Sequence, residues 1–157
     1  MKYAVIDVGS NTVRLCVYDV LCPEKRKFKT IMNRKIMAGL AAYIVDGAFS
    51  DEGIAEAILA VKKCIKRASY LSPDRIDMFA TAVLRNISNS AQAIAAIEQG
   101  AGCTISLLSN ADEAHLGFVG ASSRGTLDDG ALIDIGGGST EITVIENGVD
   151  VARTSLP

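Results

Sequence analysis

A run of three glycines between two apolar segments constrains the fold of this 157-residue chain more than any other feature. In residues 131–145 (ALIDIGGGSTEITVI), β-branched residues on both sides of the glycines predict two strands joined by a turn. Residues 4–18 (AVIDVGSNTVRLCVY) repeat the pattern with a single glycine in the turn. An aspartate lies two residues before the first glycine of each copy, Asp134 in one and Asp7 in the other. The chain is therefore predicted to contain two hairpins, each with an acid beside a glycine turn.

Glycine turns of this kind can bind phosphate. A residue without a Cβ lets a ligand approach the backbone closely, and successive N–H groups in a turn form a concave site for anions. Polar and arginine side chains at the bends add hydrogen-bond donors. The candidate phosphate-binding residues are Gly9, Ser10, Asn11 and Arg14 in the first turn and Gly136, Gly137, Gly138, Ser139 and Thr140 in the second.

The aspartates beside the turns suggest a bound cation. Asp7 and Asp134 would repel a bare phosphate, whereas a divalent cation such as Mg²⁺ between acid and phosphate removes the conflict. Ordinary hairpins use similar turn residues, and this alternative stays open, more so for the first turn than for the second. Neither turn matches the Walker or dinucleotide pattern, because no lysine follows the glycines and a strand rather than a helix comes next.

Composition and charge narrow the class of protein. Hydrophobic residues make up 49% and charged residues 22% of the chain, which is typical of one globular domain or one domain plus part of another. With a net charge of −2, the chain has no overall positive field for nucleic acid or an anionic membrane. Its four cysteines form no C-x-x-C pair, which argues against a zinc site and fits a reducing cytoplasm. No signal peptide and no transmembrane segment are expected.

Hydrophobic periodicity predicts strands that first follow one another and then alternate with helices. The predicted strands cover residues 2–8, 12–20, 26–37, 75–82 and 103–108 and the hairpin 130–147. The predicted helices begin near 50, 89 and 109; Gly100 stops the second, and Ser109 caps the third. This order implies a mixed sheet with helices on its faces. A basic cluster on the third strand is interpreted as a solvated sheet edge rather than a ligand patch; it comprises Lys27, Lys29, Arg34 and Lys35.

Four segments resemble motifs of one protein family and occur in the family's order. They are residues 7–14 (DVGSNTVR), 80–89 (ATAVLRNISN), 107–114 (LLSNADEA) and 134–141 (DIGGGSTE). On these motifs the chain resembles the exopolyphosphatase and guanosine pentaphosphate phosphohydrolase family of the actin-like ATPase superfamily. One departure is Asn110, which stands where the family usually has glycine.

The resemblance implies an α/β fold, namely an actin-like ATPase (ribonuclease H-like) lobe with a mixed five-stranded sheet flanked by helices. We expect this lobe at residues 1–124 and the opening hairpin of a second lobe at residues 125–157. Members of the family are considerably longer and hold their site in the cleft between two lobes. The chain would then be the N-terminal part of a cytoplasmic enzyme that is a homodimer in its full-length form.

The resemblance also implies an activity, the hydrolysis of terminal phosphate from inorganic polyphosphate or guanosine pentaphosphate. Glu113 would deprotonate or orient the attacking water, while Arg85 and Arg14 would stabilise the transferring phosphoryl group. His115, the single histidine, is expected to be structural or exposed. The implied Mg²⁺ ligands are Asp7, Asp134 and Glu141.

Two other functions are compatible with the same motifs. An ATP-dependent small-molecule kinase of this superfamily would use the glycine loops for ATP. A non-catalytic phosphate-binding module would use the loops without Glu113, and this second alternative also applies if the chain is inactive by itself.

Overall fold

The computed structural model describes residues 1–24, 27–123, 125 and 127–156. Its strands are β1 (Lys2–Val8), β2 (Thr12–Cys22), β3 (Lys27–Met37), β4 (Ile44–Val45), β5 (Ala48–Phe49), β6 (Arg75–Ala80), β7 (Ser106–Leu107), β8 (Gly130–Ile135), β9 (Thr140–Glu146) and β10 (Val149–Leu156). Its α-helices are α1 (Asp51–Ser69), α2 (Ala82–Arg85), α3 (Ser90–Ala101) and α4 (Asn110–Ser122), and Leu40–Tyr43 forms a 3₁₀ helix. Arg26, where the third strand was predicted to begin, and Arg124, where the first lobe was predicted to end, lie outside the described residues.

Contacts between Cα atoms divide the chain into two units, Met1–Leu107 and Leu108–Pro157. The first unit is built on a mixed five-stranded sheet with strand order β3–β2–β1–β6–β7. β2 pairs antiparallel with both β1 and β3, whereas β6 is parallel to β1 and β7 is parallel to β6. Parallel neighbours require crossover connections, which α1 supplies before β6 and α2 with α3 supply before β7. The predicted mixed sheet flanked by helices is therefore confirmed.

Alternation along β1 explains the core of the first unit. Ala4, Ile6 and Val8 are fully buried, and the residues between them are half-buried. α1 packs against β1, β2 and α3 and buries its own apolar stripe in the same core. This helix begins as predicted, because the Ser50 hydroxyl accepts a hydrogen bond from the Gly53 N–H at 3.2 Å.

Helix α3 ends later than the sequence analysis expected. Gly100 lies inside the helix, and the left-handed residue that follows it is Gly102, with φ of 68°. A Cβ added to Gly100 would lie 2.4 Å from Cδ1 of Ile58 in α1. Gly100 therefore permits close contact between two helices and does not end one.

The second unit consists of α4 and a three-stranded antiparallel sheet in the order β10–β9–β8. The predicted hairpin is present as β8 and β9, and β10 adds a strand that the sequence analysis did not predict. The contacts place the boundary between the units before α4, because α4 packs on β9 and β10. From the sequence, this boundary was predicted after the helix, at residue 124. Within the described ranges, no helix has both the length and the apolar character needed to cross a membrane.

Candidate functional site

The first glycine turn, between β1 and β2, is closed by a backbone hydrogen bond from the Gly9 N–H to the Thr12 carbonyl oxygen at 3.1 Å. A Cβ added to Gly9 would lie 3.1 Å from the same oxygen, which explains why a glycine occupies this position. Ser10, at the bend, is 7% exposed, and the neighbouring Asn11 is exposed.

The second glycine turn, between β8 and β9, has the same construction. The Gly136 N–H donates to the Ser139 carbonyl oxygen at 2.9 Å, and a Cβ on Gly136 would lie 3.0 Å from that oxygen. Ser139, which corresponds in position to Thr12 of the first turn, is 7% exposed. The two turns predicted from sequence as copies of one pattern therefore share their backbone geometry.

The segment after β3 braces the first turn. The Asn11 carbonyl accepts hydrogen bonds from the N–H groups of Ala38 (3.1 Å) and Gly39 (3.0 Å), and the Ser10 carbonyl accepts one from Ala41 (2.9 Å). In a trans peptide group the N–H points opposite to the C=O. The N–H groups of these two peptide groups therefore point away from the bracing segment, as an anion-binding turn requires.

Arg85 lies at the same edge of the first sheet as this turn. β1 and β6 are parallel and end beside each other, because Val8 pairs with Ala80. α2 follows β6 directly and ends at Arg85, whose side chain is half-buried. Ligands of open α/β sheets bind at the carboxyl ends of parallel strands, which is where the first turn and α2 both begin.

In the second unit, Glu113 and Asp134 lie along one side of α4. The Ser109 hydroxyl caps the helix by accepting from the Asp112 N–H at 3.1 Å, which confirms the predicted cap, and Glu113 follows in the first turn. A Cβ on Gly117 would lie 3.8 Å from the Asp134 carboxylate, so this acid approaches α4. Residues four apart share a helix face, so Glu113 is on the side of α4 that Asp134 approaches.

The cross-strand neighbour of the aspartate distinguishes the two turns. Asp7 is paired with Arg14, whereas Asp134 is paired with Glu141, and cross-strand partners project from the same face of a sheet. Glu141 is 4% exposed and accepts a hydrogen bond from the Ser155 hydroxyl at 2.8 Å. The first turn thus lies beside an acid and a cation, and the second beside two acids.

Comparison with known proteins places this geometry in a family. The model of the Ppx/GppA phosphatase family matches residues 22–157, which is most of the chain. This chain belongs to the Ppx/GppA phosphatase family. The match begins after the first glycine turn, so the family model does not cover that turn.

Solved structures share the fold of this family member. An exopolyphosphatase from Cytophaga hutchinsonii is 25% identical, with a TM-score of 0.89 over 99% of this chain and 50% of that one. The type II variant of the Aquifex aeolicus Ppx/GppA phosphatase is 23% identical, with a TM-score of 0.83 over 100% of this chain and 52% of that one. The ethanolamine utilization protein EutJ from Carboxydothermus hydrogenoformans, 23% identical with a TM-score of 0.59 over 100% of this chain and 52% of that one, also has this fold. The chain spans about half the length of these proteins.

The acidic pair of this Ppx/GppA family member could hold the expected Mg²⁺. Mg²⁺ is commonly bound by one or two carboxylates, with waters and substrate phosphates as its other ligands. Asp134 and Glu141 meet that requirement. In the described part of the chain, no group of three or more His, Cys, Asp or Glu side chains could hold a metal ion. Asp7 fits the role less well, because its cross-strand neighbour is the cation Arg14.

A further cluster, absent from the sequence analysis, ties α4 to β10. His115 Nδ1 lies 2.7 Å from Asp150 Oδ2, and Arg153 Nε donates to the same oxygen at 2.6 Å. The hydrogen bond with His115, followed by the contact with Arg153, holds the pKa of Asp150 below its usual value. The expected structural role of His115 agrees with this contact. Asp150 and Arg153 were missed because β10 was not predicted, and no sequence motif marks them.

Proposed function

We propose that this chain supplies the phosphate-binding turns and the general base of a hydrolase that removes terminal phosphate from inorganic polyphosphate or guanosine pentaphosphate. The observation that carries the proposal is the repeated glycine turn, closed by the same backbone hydrogen bond at Gly9 and at Gly136. Each turn can offer its N–H groups to a phosphoryl group, and a polyphosphate substrate contains several of these groups. Membership of a phosphatase family supports the hydrolytic chemistry.

Each residue type suits its proposed role. Glu113 would accept a proton from the attacking water or orient it, and its place in the first turn of α4 favours the ionised carboxylate that this task needs. Arg85 and Arg14 would donate to the phosphoryl oxygens, where negative charge is spread during transfer. The N–H groups and hydroxyls of each turn would donate hydrogen bonds to phosphate oxygens.

Asp134 and Glu141 would bind Mg²⁺, with Asp7 as a further acid at the first turn. When bound, the ion would neutralise phosphate charge and lessen its repulsion by these carboxylates. The protein's part is to keep the two acids side by side, which the β8–β9 register and the hydrogen bond from Ser155 accomplish.

The proposed substrates are supported by the solved structures to which this chain is similar. The Cytophaga hutchinsonii protein is an exopolyphosphatase, which favours linear polyphosphate for this chain, and guanosine pentaphosphate is the second substrate of the proposal. A cytoplasmic location and a homodimeric full-length form complete the proposal, and both come from the resemblance to the family.

Phosphate release would test the proposal, measured with this chain and with the full-length protein that contains it. We expect the full-length protein to release phosphate from polyphosphate and not to transfer phosphate from ATP to sugars or acetate. Glu113→Gln should lower turnover by about 10²–10⁴-fold, the usual contribution of a general base. Glu146→Gln is the matched control, because it makes the same charge change at the far end of β9.

Three outcomes would separate the alternatives. ADP formation that depends on a small-molecule acceptor would favour the kinase. Phosphate binding by the full-length protein without turnover would favour the non-catalytic module. Equal turnover of the Glu113→Gln and Glu146→Gln variants would remove Glu113 from the mechanism.

A further inference from the structure

Three charged residues form a row across the first sheet at the end nearest the first glycine turn. Asp7 on β1 is paired with Arg14 on β2, and Arg14 is paired with Lys35 on β3. Directly paired residues project from the same face of a sheet, so all three side chains leave the same face. The row therefore carries one negative and two positive charges beside the turn.

Two lysines of β3, Lys29 and Lys35, are paired with charged residues on β2, and the charges of those two partners are opposite. Lys29 is opposite Asp19, an ordinary pair of opposite charges, whereas Lys35 is opposite the cation Arg14. Like charges directly across a strand pair are destabilising. β3 is the edge strand of its sheet, so no further strand lies beyond Lys35 to offset the repulsion. An anion bound over the two cations would offset it.

The backbone links Lys35 to the turn. β3 ends at Met37, and the next two N–H groups, those of Ala38 and Gly39, donate to the Asn11 carbonyl in the turn. Lys35 thus extends from a strand end that is hydrogen-bonded to the turn. Its side chain is exposed and available to a ligand.

We propose that Lys35 is a specificity-determining residue that binds a phosphoryl group beyond the one held by the first glycine turn and Arg14. Lys35 lies two strand spacings, about 10 Å, from Asp7 across the sheet. A single phosphate at the turn would gain little from it, whereas a linear chain of phosphoryl groups would reach it. Lys35 then favours long polyphosphate over short phosphate anions. This inference rests on the proposed function of the first turn.

Calorimetric titration of the 157-residue chain with tripolyphosphate and with orthophosphate would test the inference. The variants are Lys35→Gln, Arg14→Gln as the variant that weakens the turn itself, and Lys29→Gln as the matched control. Lys29 is on the same strand, about 20 Å away, and its substitution removes the same charge. The melting temperature of each variant is measured without ligand.

We expect Lys35→Gln to raise the Kd for tripolyphosphate about fivefold, as for the loss of one solvent-exposed ion pair, and to leave the Kd for orthophosphate nearly unchanged. The effect should shrink at high ionic strength. Lys29→Gln should leave both Kd values nearly unchanged. Without ligand, Lys35→Gln should keep or raise the melting temperature, because it removes a like-charge pair. A lysine with only a structural role would not combine weaker tripolyphosphate binding with an unchanged or higher melting temperature.

The results that overturn the inference differ from those that overturn the proposed function. Equal tripolyphosphate affinities of the Lys35→Gln and Lys29→Gln variants would overturn the role of Lys35 and leave the turn intact. Equal losses for tripolyphosphate and orthophosphate in Lys35→Gln would also overturn it. If the unsubstituted chain binds neither anion, the phosphate-binding turn fails, and Lys35 with it.

Discussion

Replacing Gly136 by alanine should damage the second glycine turn with little change elsewhere. The added Cβ would lie 3.0 Å from the Ser139 carbonyl oxygen, inside normal contact distance. The same oxygen accepts the 2.9 Å hydrogen bond that closes the turn, so relief of the clash lengthens that bond. Crowding of this kind costs about 1–3 kcal/mol, and loss of the hydrogen bond contributes about 0.5–1.5 kcal/mol of that range.

Urea unfolding and thermal melting would measure this cost. A loss of about 2 kcal/mol corresponds to a fall in melting temperature of about 4–8 °C for a protein of this size. Gly9→Ala should behave alike, because its Cβ would lie 3.1 Å from the Thr12 carbonyl oxygen. Gly120→Ala is a control that should raise stability instead of lowering it. Gly120 lies within α4, and no described heavy atom lies within 4 Å of a Cβ added there. Alanine should therefore stabilise the folded chain by about 0.5–1 kcal/mol.

Phosphate binding by the same variants provides a second test of the turn. Gly136→Ala should weaken binding of tripolyphosphate with Mg²⁺, since the turn must open to admit the methyl group. If Gly136→Ala melted and bound phosphate like the unsubstituted chain while Gly120→Ala raised stability, the tight turn at Ser139 would be refuted.

Two predictions concern titratable groups. Because burial raises the pKa of the Cys64 thiol to about 11, we expect this thiol to resist alkylation at neutral pH in the folded chain. The partly exposed Cys22 should react first, and mass spectrometry after timed iodoacetamide treatment would show the order of reaction. The pKa of Asp150 is lowered in the folded state, so its contribution to stability is present above the ordinary aspartate pKa of about 4 and is lost as the pH falls through the lower folded value. Asp150→Asn should therefore lose less melting temperature between pH 7 and pH 3 than the unsubstituted chain does, and an equal or greater loss would contradict the role of this contact.

The features predicted well from the sequence are those set by local chemistry. The turns at Gly9 and Gly136 were predictable because a close backbone approach requires glycine in the sequence itself. The strand β1 was predictable because residues 2–8 are rich in β-branched and aromatic residues, which favour a strand. The Ser109 cap was predictable because a hydroxyl at that position satisfies a nearby N–H.

The features missed depend on contacts between distant residues. Gly100 resembles a helix stop in sequence, and only its contact with Ile58 shows why it lies inside α3. β10 is polar enough to be taken for a connection, and its pairing with β9 makes it a strand. The grouping of α4 with the second sheet depends in part on the contact of His115 with Asp150, which no local pattern indicates.

The central claim is that the two glycine turns bind phosphoryl groups. Titration of the ¹⁵N-labelled chain with tripolyphosphate and Mg²⁺, followed by two-dimensional amide spectra, tests it most directly. We expect the largest shifts at residues 9–12 and 136–140, with small shifts at the far end of β3. Shifts absent from both turns, or confined to residues remote from them, would contradict it.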